Sequence, residues 1–367
     1  MVRAVQKVIA LYYHRIAPVR DRLSCPPELF EDQLRVLKRA GYQSISLSEL
    51  REFLKGKPLS VEKPIILTFD DGFIDFWAYA FPLLERYQFQ AVVFLVPDWI
   101  EDSDQLPLPE QIQTSPAVKR NSGQAISSAL QGDKSSFLNW KMIQKMAESK
   151  RVEFGSHGFY HRAGFFSPRI KKFLLSKNPH WVYRQIYQGS FKLGFPAFER
   201  ASELAIRRFL PEQEKLNQFH QYFQELFQNE RLNKKQIEKR LFKFAKSLRK
   251  LGNYEPEAEA EQRILSELSR AREIIEERLQ LPCFSFCYPF GNYSGLLLGL
   301  LPRAGYQLAF TTERGVITQT HSPFILRRYR VEAESGLRLV IELEAVKNSL
   351  LGKIISRFSR SREVKEV

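Results

Sequence analysis

The chain has 367 residues, 44% hydrophobic and 26% charged, enough to bury a sizeable core and ordinary for a globular protein. Its net charge of +15 is not ordinary and points to an anionic partner: lipid headgroups, nucleic acid or an acidic polymer. Three cysteines do not make a disulfide framework, since Cys283 and Cys287 share one extended segment, and no stretch approaches the length of a transmembrane helix.

In chain order, the apolar run Val8 to Tyr13 is too short for the hydrophobic region of a signal sequence, and no small-residue cleavage site follows. The expectation is a cytoplasmic protein in which this run is the first strand of a barrel. It ends at His14, in Leu11-Tyr12-Tyr13-His14-Arg15. A lone histidine after a strand is more often structural than catalytic, but this one lies at a strand's C-terminal end. Pro27 to Ala40 reads as a helix with Leu29, Phe30, Leu34 and Leu37 inward and Gly41 after it. Ser48 to Lys55 reads as a second.

Pro64 to Leu67 is a short apolar run of a strand buried on both faces, and Thr68-Phe69-Asp70-Asp71-Gly72 follows it directly. Phe73, Phe76, Trp77, Ala80, Phe81 and Leu84 then recur at helical spacing. Two adjacent carboxylates therefore sit where a buried strand opens into a helix, which in an α/β barrel is the catalytic face. Each raises the other's pKa unless a cation or hydrogen bonds hold both ionised. A helix N-cap accounts for one Asp. The second asks for another reason.

Ala91 to Val96 is the next strand. Residues 101–136 are rich in Ser, Gln, Pro and Gly with little periodicity, and read as disordered, with a lid over a substrate groove as the alternative. A helix to Ser149 precedes a strand at Val152 to Gly155. Glu153 to His161 then sets His157 and His161 four residues apart, a spacing at which imidazoles meet on one side of a helical turn. One carboxylate would complete three protein ligands and leave an open position for water, the pattern of a catalytic metal site.

Beyond this, Leu216, Phe219, Phe223, Leu226 and Phe227 form one helical stripe, and Ile237, Leu241, Phe244, Ala245 and Leu248 another. Residues 231–251 hold nine Lys or Arg against one Glu. The plain reading is a helical hairpin with a solvated basic face. The sharper one is an element that contacts an anionic membrane surface or a polymer. No recognised nucleic-acid-binding motif accompanies the charge, so nucleic acid is not the expected partner. Glu259 to Gln280 is a helix, Cys283 to Tyr288 a strand and Tyr293 to Ala304 a helix. Gly336 to Phe358 is a last helix, with Leu339, Val340, Leu343, Val346, Leu350 and Ile354 aligned and a basic end at Lys353, Arg357, Arg360 and Arg362.

The Thr68–Gly72 motif followed by the Gly155–His161 segment resembles the polysaccharide deacetylases of carbohydrate esterase family 4, the NodB homology domain. Cys287-Tyr288-Pro289-Phe290-Gly291 resembles the family's third motif, and Leu326-Arg327-Arg328 its closing strand. The Tyr-His-Arg opening at His14 is similar to that of deacetylases acting on poly-N-acetylglucosamine. The resemblance covers residues 8–164 and about 259–335. It implies an α/β fold, a distorted (β/α)7-type barrel, divided by a helical insertion at 165–258 and followed by a C-terminal helix and basic tail at 336–367.

It further implies a hydrolase that removes N-acetyl groups from an amino-sugar polymer, oligosaccharide or lipid-linked glycan. Asp71, His157 and His161 would hold a divalent metal, zinc by expectation. Asp70 would act as general base and His14 as general acid. A backbone N–H near Phe290 would face the oxyanion. The family's third motif often carries an arginine that orients the base; here that place is Cys287, and Arg328, or else Arg327, is expected to supply the charge. The alternative is an inactive barrel that binds glycans or membranes as a scaffold. Peripheral contact with an anionic membrane is the further expectation for the basic stretch. The sequence assigns no oligomeric state.

Overall fold

Strand β1 (Ile9–Tyr13) is buried at every residue. Helix α1 (Pro27–Arg39) follows, started by proline in its first turn and burying Phe30, Leu34 and Leu37. A short strand β2 (Tyr42–Ser44) leads to helix α2 (Leu47–Leu54), which opens on a capping box between Ser46 and Glu49. Strand β3 (Lys63–Asp71) runs through both carboxylates rather than stopping before them. Its Ile65, Ile66, Leu67 and Phe69 are essentially buried. Each such side chain contributes roughly 1.5–3 kcal/mol, so together they offset the several kcal/mol that burying a charge costs. A turn at Gly72 and one π-helical turn (Phe76–Ala80) carry the chain into helix α3 (Phe81–Tyr87), and strand β4 (Ala91–Leu95) follows.

The computed structural model describes residues 6–228, 232–347 and 362–363. Its first correction to the sequence reading lies at 101–136, which is ordered. Helices α4 (Pro109–Thr114), α5 (Pro116–Lys119) and α6 (Ser122–Ala129) fill it. Ile112, Ala117, Val118, Ala125, Ile126 and Ala129 are buried there, and the Arg15 guanidinium donates to the carbonyls of Val118 and Arg120. Helices of four to eight residues are too short to show a periodic stripe, so the order is set by these long-range contacts.

Helix α7 (Trp140–Glu148) is capped by the Asn139 side chain, and strand β5 (Val152–Ser156) follows. From His161 to Ile264, with Asn292–Leu297, the chain builds a second compact unit. It begins with an antiparallel pair, β6 (Ala163–Phe173) and β7 (Pro196–Ser202), with helix α8 (Trp181–Ile186) between them. Strand β8 (Phe209–Pro211), helices α9 (Gln213–Phe227) and α10 (Lys234–Ser247), and strand β9 (Gly252–Tyr254) complete it. The two expected helices are present and the strands are additional. In α10, Ile237 and Leu241 are buried against Phe173, Phe219 and Phe223, so its apolar side is already covered and the basic side is solvated.

Helix α11 (Glu257–Leu279), strand β10 (Ser285–Cys287), helix α12 (Gly295–Arg303) and strands β11 (Leu308–Phe310) and β12 (Tyr329–Arg330) return to the barrel. Helix α13 (Gly336–Lys347) is the described part of the last predicted helix. Leu350, Ile354 and the basic Lys353, Arg357 and Arg360 lie outside the described residues.

The barrel strands run in the order β11-β10-β5-β4-β3-β1-β12, with β2 branching from β3, and every pairing is parallel. An isolated bridge between Phe310 and Leu326 links the two edges, while β5 and β10 pair only at Ser156 and Phe286. This is the distorted (β/α)7-type barrel. Among the described residues no helix is long and apolar enough to cross a membrane.

Candidate active site

Parallel register brings the motifs to one end. Tyr13 pairs with Phe69, Asp70 with Phe94, Asp71 with Leu95, Leu95 with Ser156, and Ser156 with Phe286. His14, the two Asp residues, His157 and Cys287 therefore finish neighbouring strands at the same level. Along β3, Thr68 and Asp70 are two residues apart and share a face. Both meet Arg328, which is wholly buried. Its Nη1 donates to Asp70 Oδ1 at 2.7 Å and to Thr68 Oγ1 at 3.1 Å, and its Nη2 to Asp70 Oδ2 at 2.8 Å. Its Nε donates to the Thr311 carbonyl at 2.9 Å, and the guanidinium lies 4.5 Å from the Tyr12 ring centroid. This bidentate geometry leaves the fork no freedom. Arg327, the other sequence option, lies 3.8 Å from Glu313 instead.

The two carboxylates are thereby driven apart. Burial pushes Asp70 up, but the charge of Arg328, helped by His157 and His14, pulls it below the usual carboxylate range. Asp71 is pushed well above that range by burial and then by the charge of Asp70. Its backbone φ of 77°, sparsely populated for a residue other than glycine, turns it away from the strand's regular alternation.

The histidine segment departs from expectation in its backbone. Residues 157–161 are not helical; Gly158 and His161 adopt left-handed φ values of 76° and 50°. The imidazoles are brought together by this loop rather than by a helical turn. His157 Nδ1 is 2.8 Å from the Cys287 carbonyl, which can only accept, so Nδ1 carries the hydrogen and Nε2 presents its lone pair. That Nε2 is 3.6 Å from Asp71 Oδ1. Asp71, His157 and His161 are all buried and offer ligand atoms within 4.8 Å of one another.

Asp70, His157 and Cys287 form a second group within the same limit. Both oxygens of Asp70 are engaged by Arg328, however, and burial pushes the Cys287 thiol up, away from the thiolate a metal needs. The first group fits a divalent ion better: two imidazoles, one with its far nitrogen on a carbonyl, and a carboxylate whose ionisation a cation would restore. Cys287 Sγ lies 3.6 Å from Asp70 Oδ1, at the place where the third motif often has its arginine.

His14 lies half-buried beside these groups, and desolvation brings its pKa down to about 4 although Asp70 pulls it up. Phe290 sits after β10 in a tight turn with φ of 58°. One pair escaped the sequence reading. Arg15 Nε donates to Asp75 Oδ2 at 2.7 Å with both side chains fully buried, and Asp75 Oδ1 also accepts from Ile16 N. The arginine after His14 thus ties the end of β1 to the segment following the Asp pair. Asp75, four residues past Asp71, was the available signal.

Comparison with known proteins bears on the fold and on the segment that carries the motifs. Residues 59–188 match the family model described as polysaccharide deacetylase. The poly-beta-1,6-N-acetyl-D-glucosamine N-deacetylase of Escherichia coli K12 is 22% identical over 312 residues, covering 84% of this chain. The chain spans about a third (34%) of that relative's length. Among solved structures, a de-N-acetylase from Aggregatibacter actinomycetemcomitans matches with a TM-score of 0.58 at 16% identity, covering 92% of this chain and 99% of its own. The deacetylase PplD of Streptococcus pyogenes matches at 0.55 with 17% identity, covering 92% and 98%. IcaB from Ammonifex degensii matches at 0.54 with 17% identity, covering 92% and 96%. These structural likenesses speak for the barrel, and the matched segment holds the Asp pair and both histidines. Residues 59–188 thus match the polysaccharide deacetylase model, and the chain shares its fold with deacetylases of known structure.

Proposed function

We propose that this chain is a metal-dependent deacetylase that hydrolyses the N-acetyl groups of an amino-sugar polymer of the poly-N-acetylglucosamine kind. The observation that carries the reading is the pairing of a buried Asp71–His157–His161 group with a neighbouring Asp70 clamped by Arg328. Asp71, His157 and His161 would hold the ion, zinc by donor set. When bound, such an ion polarises the acetyl carbonyl and makes water acidic enough to attack at neutral pH.

The chain's own residues do the rest. Asp70 takes the attacking water's proton, and Arg328 keeps both of its oxygens in place for that transfer. Water adds to the carbonyl carbon, the C–N bond breaks, and acetate and a free amine leave. The Phe290 backbone N–H is the donor assigned to the developing oxyanion. His14, neutral at physiological pH in the free protein, must gain a proton before it can give one to the leaving amine. Asp70, which pulls its pKa upward and gains a proton during attack, is the source.

Purified protein should carry one divalent ion per chain and release acetate from poly-N-acetylglucosamine or chito-oligosaccharides. Absence of acetate release from every such substrate by the metal-loaded protein would overturn the reading.

The exposed Lys234, Lys235, Lys239, Arg240, Lys243 and Lys246 of α10 support a second element of the proposal, reversible contact with an anionic membrane surface from the cytoplasmic side. The buried apolar side of α10 leaves charge as the driving force, roughly 1 kcal/mol per basic residue at most. Co-sedimentation with anionic but not neutral vesicles, lost at high salt, is expected. Equal behaviour on both would end the idea.

A further inference from the structure

We infer that Glu267, on α11, is the positioning residue for the loop that carries both histidine ligands. The inference rests on the reading of His157 and His161 as metal ligands. A five-residue segment that is not helical makes no internal ladder, so its backbone N–H groups need outside acceptors. His157 N donates to the Leu95 carbonyl at 2.7 Å and Gly158 N to Ser156 Oγ at 3.2 Å. The next two, Phe159 N and Tyr160 N, both donate to one atom, Glu267 Oε1, each at 3.2 Å. Glu267 is 8% exposed, and it follows Ile264 and precedes Leu268 on the buried side of α11.

A single carboxylate oxygen shared by successive N–H groups fixes the direction of the chain between the two histidines. Two left-handed residues, Gly158 and His161, flank that point, so the backbone on either side has conformational alternatives to escape into. Arg270, one turn further along α11, holds the side chains of the same two residues. Its guanidinium lies 4.0 Å from the Phe159 ring centroid, and its Nη1 donates to Tyr160 Oη at 2.7 Å. The helix thus grips the loop through backbone and side chains together. Glu267 contributes no ligand atom; it acts by keeping Nε2 of His157 and the ring of His161 directed at one point.

The test titrates metal-free full-length protein with Zn2+ alone by calorimetry and records the visible absorption of the Co2+ form. Loss of an outer partner of a metal ligand weakens binding about 10–100-fold, and that range is expected for Glu267→Ala, with an altered Co2+ spectrum. Glu267→Gln retains an acceptor oxygen and should bind Zn2+ within a few-fold of the unchanged chain. Unchanged Zn2+ affinity in folded Glu267→Ala would overturn the inference, as would a Glu267→Gln as weak as Glu267→Ala. If Glu267→Ala does not fold, Glu267→Asp, which withdraws the acceptor but keeps the charge, carries the same expectation and the same overturning result. His161→Ala separates the two levels. If it binds Zn2+ normally, the ligand reading fails; if it loses Zn2+ while Glu267→Ala binds normally, only the positioning role fails.

Discussion

Two carboxylates, Asp70 in the barrel and Glu255 in the inserted unit, are equally buried at 2% exposed, and both are held by guanidinium groups. Glu255 accepts from Arg208 N at 2.8 Å, Arg208 Nε at 2.9 Å, Arg263 Nη2 at 2.5 Å and Arg263 Nε at 3.3 Å. Every approach to its oxygens is taken by structure. Asp70 has one guanidinium and, on its other sides, a second carboxyl, two imidazoles and a thiol. Burial pushes both up, and their arginines pull both below the usual carboxylate range. A buried ion pair and a shifted pKa are therefore common to a structural staple and to a site. What sets the barrel apart is that Asp70 stands next to Asp71, His157 and His161, whose ligand atoms lie within 4.8 Å of one another.

The comparison breaks most sharply at the carboxylates themselves. Asp70→Asn should keep the metal and lose on the order of 10²–10⁴-fold in kcat, since a general base is removed without touching the ligand set. Metal loss in that variant would mean that the two Asp roles are reversed. Glu255→Ala should do the opposite. It leaves two half-buried arginines without their carboxylate and should cost about 1–3 kcal/mol of stability, measured by urea unfolding, while the folded fraction retains its kcat. A kcat loss larger than the loss of folded protein would tie the staple to chemistry.

Metal removal sharpens the contrast through stability. Asp71 has a raised pKa, so the metal-free fold binds its proton more tightly than the unfolded chain does, and it loses stability as pH rises above the ordinary value near 3.9. Asp70 and Glu255, with lowered values, contribute stability above their ordinary pKa that is lost as pH falls through the lowered one. Zn2+ relieves only the Asp71 penalty. At neutral pH it should stabilise the fold by about 2.7 kcal/mol at a hundredfold excess over Kd, read as a rise in Tm. Glu255→Gln should keep that rise, and Asp71→Asn should lose it. His14→Ala is the finest probe: kcat should fall more than KM rises, while the shape of the pH–rate profile above neutrality is kept, because His14 is already neutral there. An unchanged kcat would return His14 to a structural role.

Periodicity and spacing made much of the barrel legible. The β-branched runs before His14, Asp70 and His157 became strands because strand burial is a local matter of alternating or continuous apolar residues. The order in 101–136 was invisible, because helices this short carry no stripe and depend on Arg15, more than a hundred residues away in sequence from the carbonyl of Val118 that it holds. The paired strands of the insertion were missed for a related reason. Ala163 to Phe173 mixes Gly, Pro and charged residues, and its pairing with Pro196 to Ser202 is irregular in register.

By itself the sequence determined that two carboxylates follow a buried strand and that two histidines four apart follow another, because those are statements about neighbours along the chain. Only the tertiary structure decided which cation meets Asp70. Arg328 lies 258 residues beyond it, and nothing local tells Arg328 from Arg327. Closure of the barrel chooses between them: one side chain of adjacent residues near an edge strand points inward and the next points out. The same closure puts the Cys287 carbonyl on His157 and lets α11 bring Glu267 to the histidine loop. Spacing proposes ligands; the register of distant strands and one helix decides where their lone pairs point.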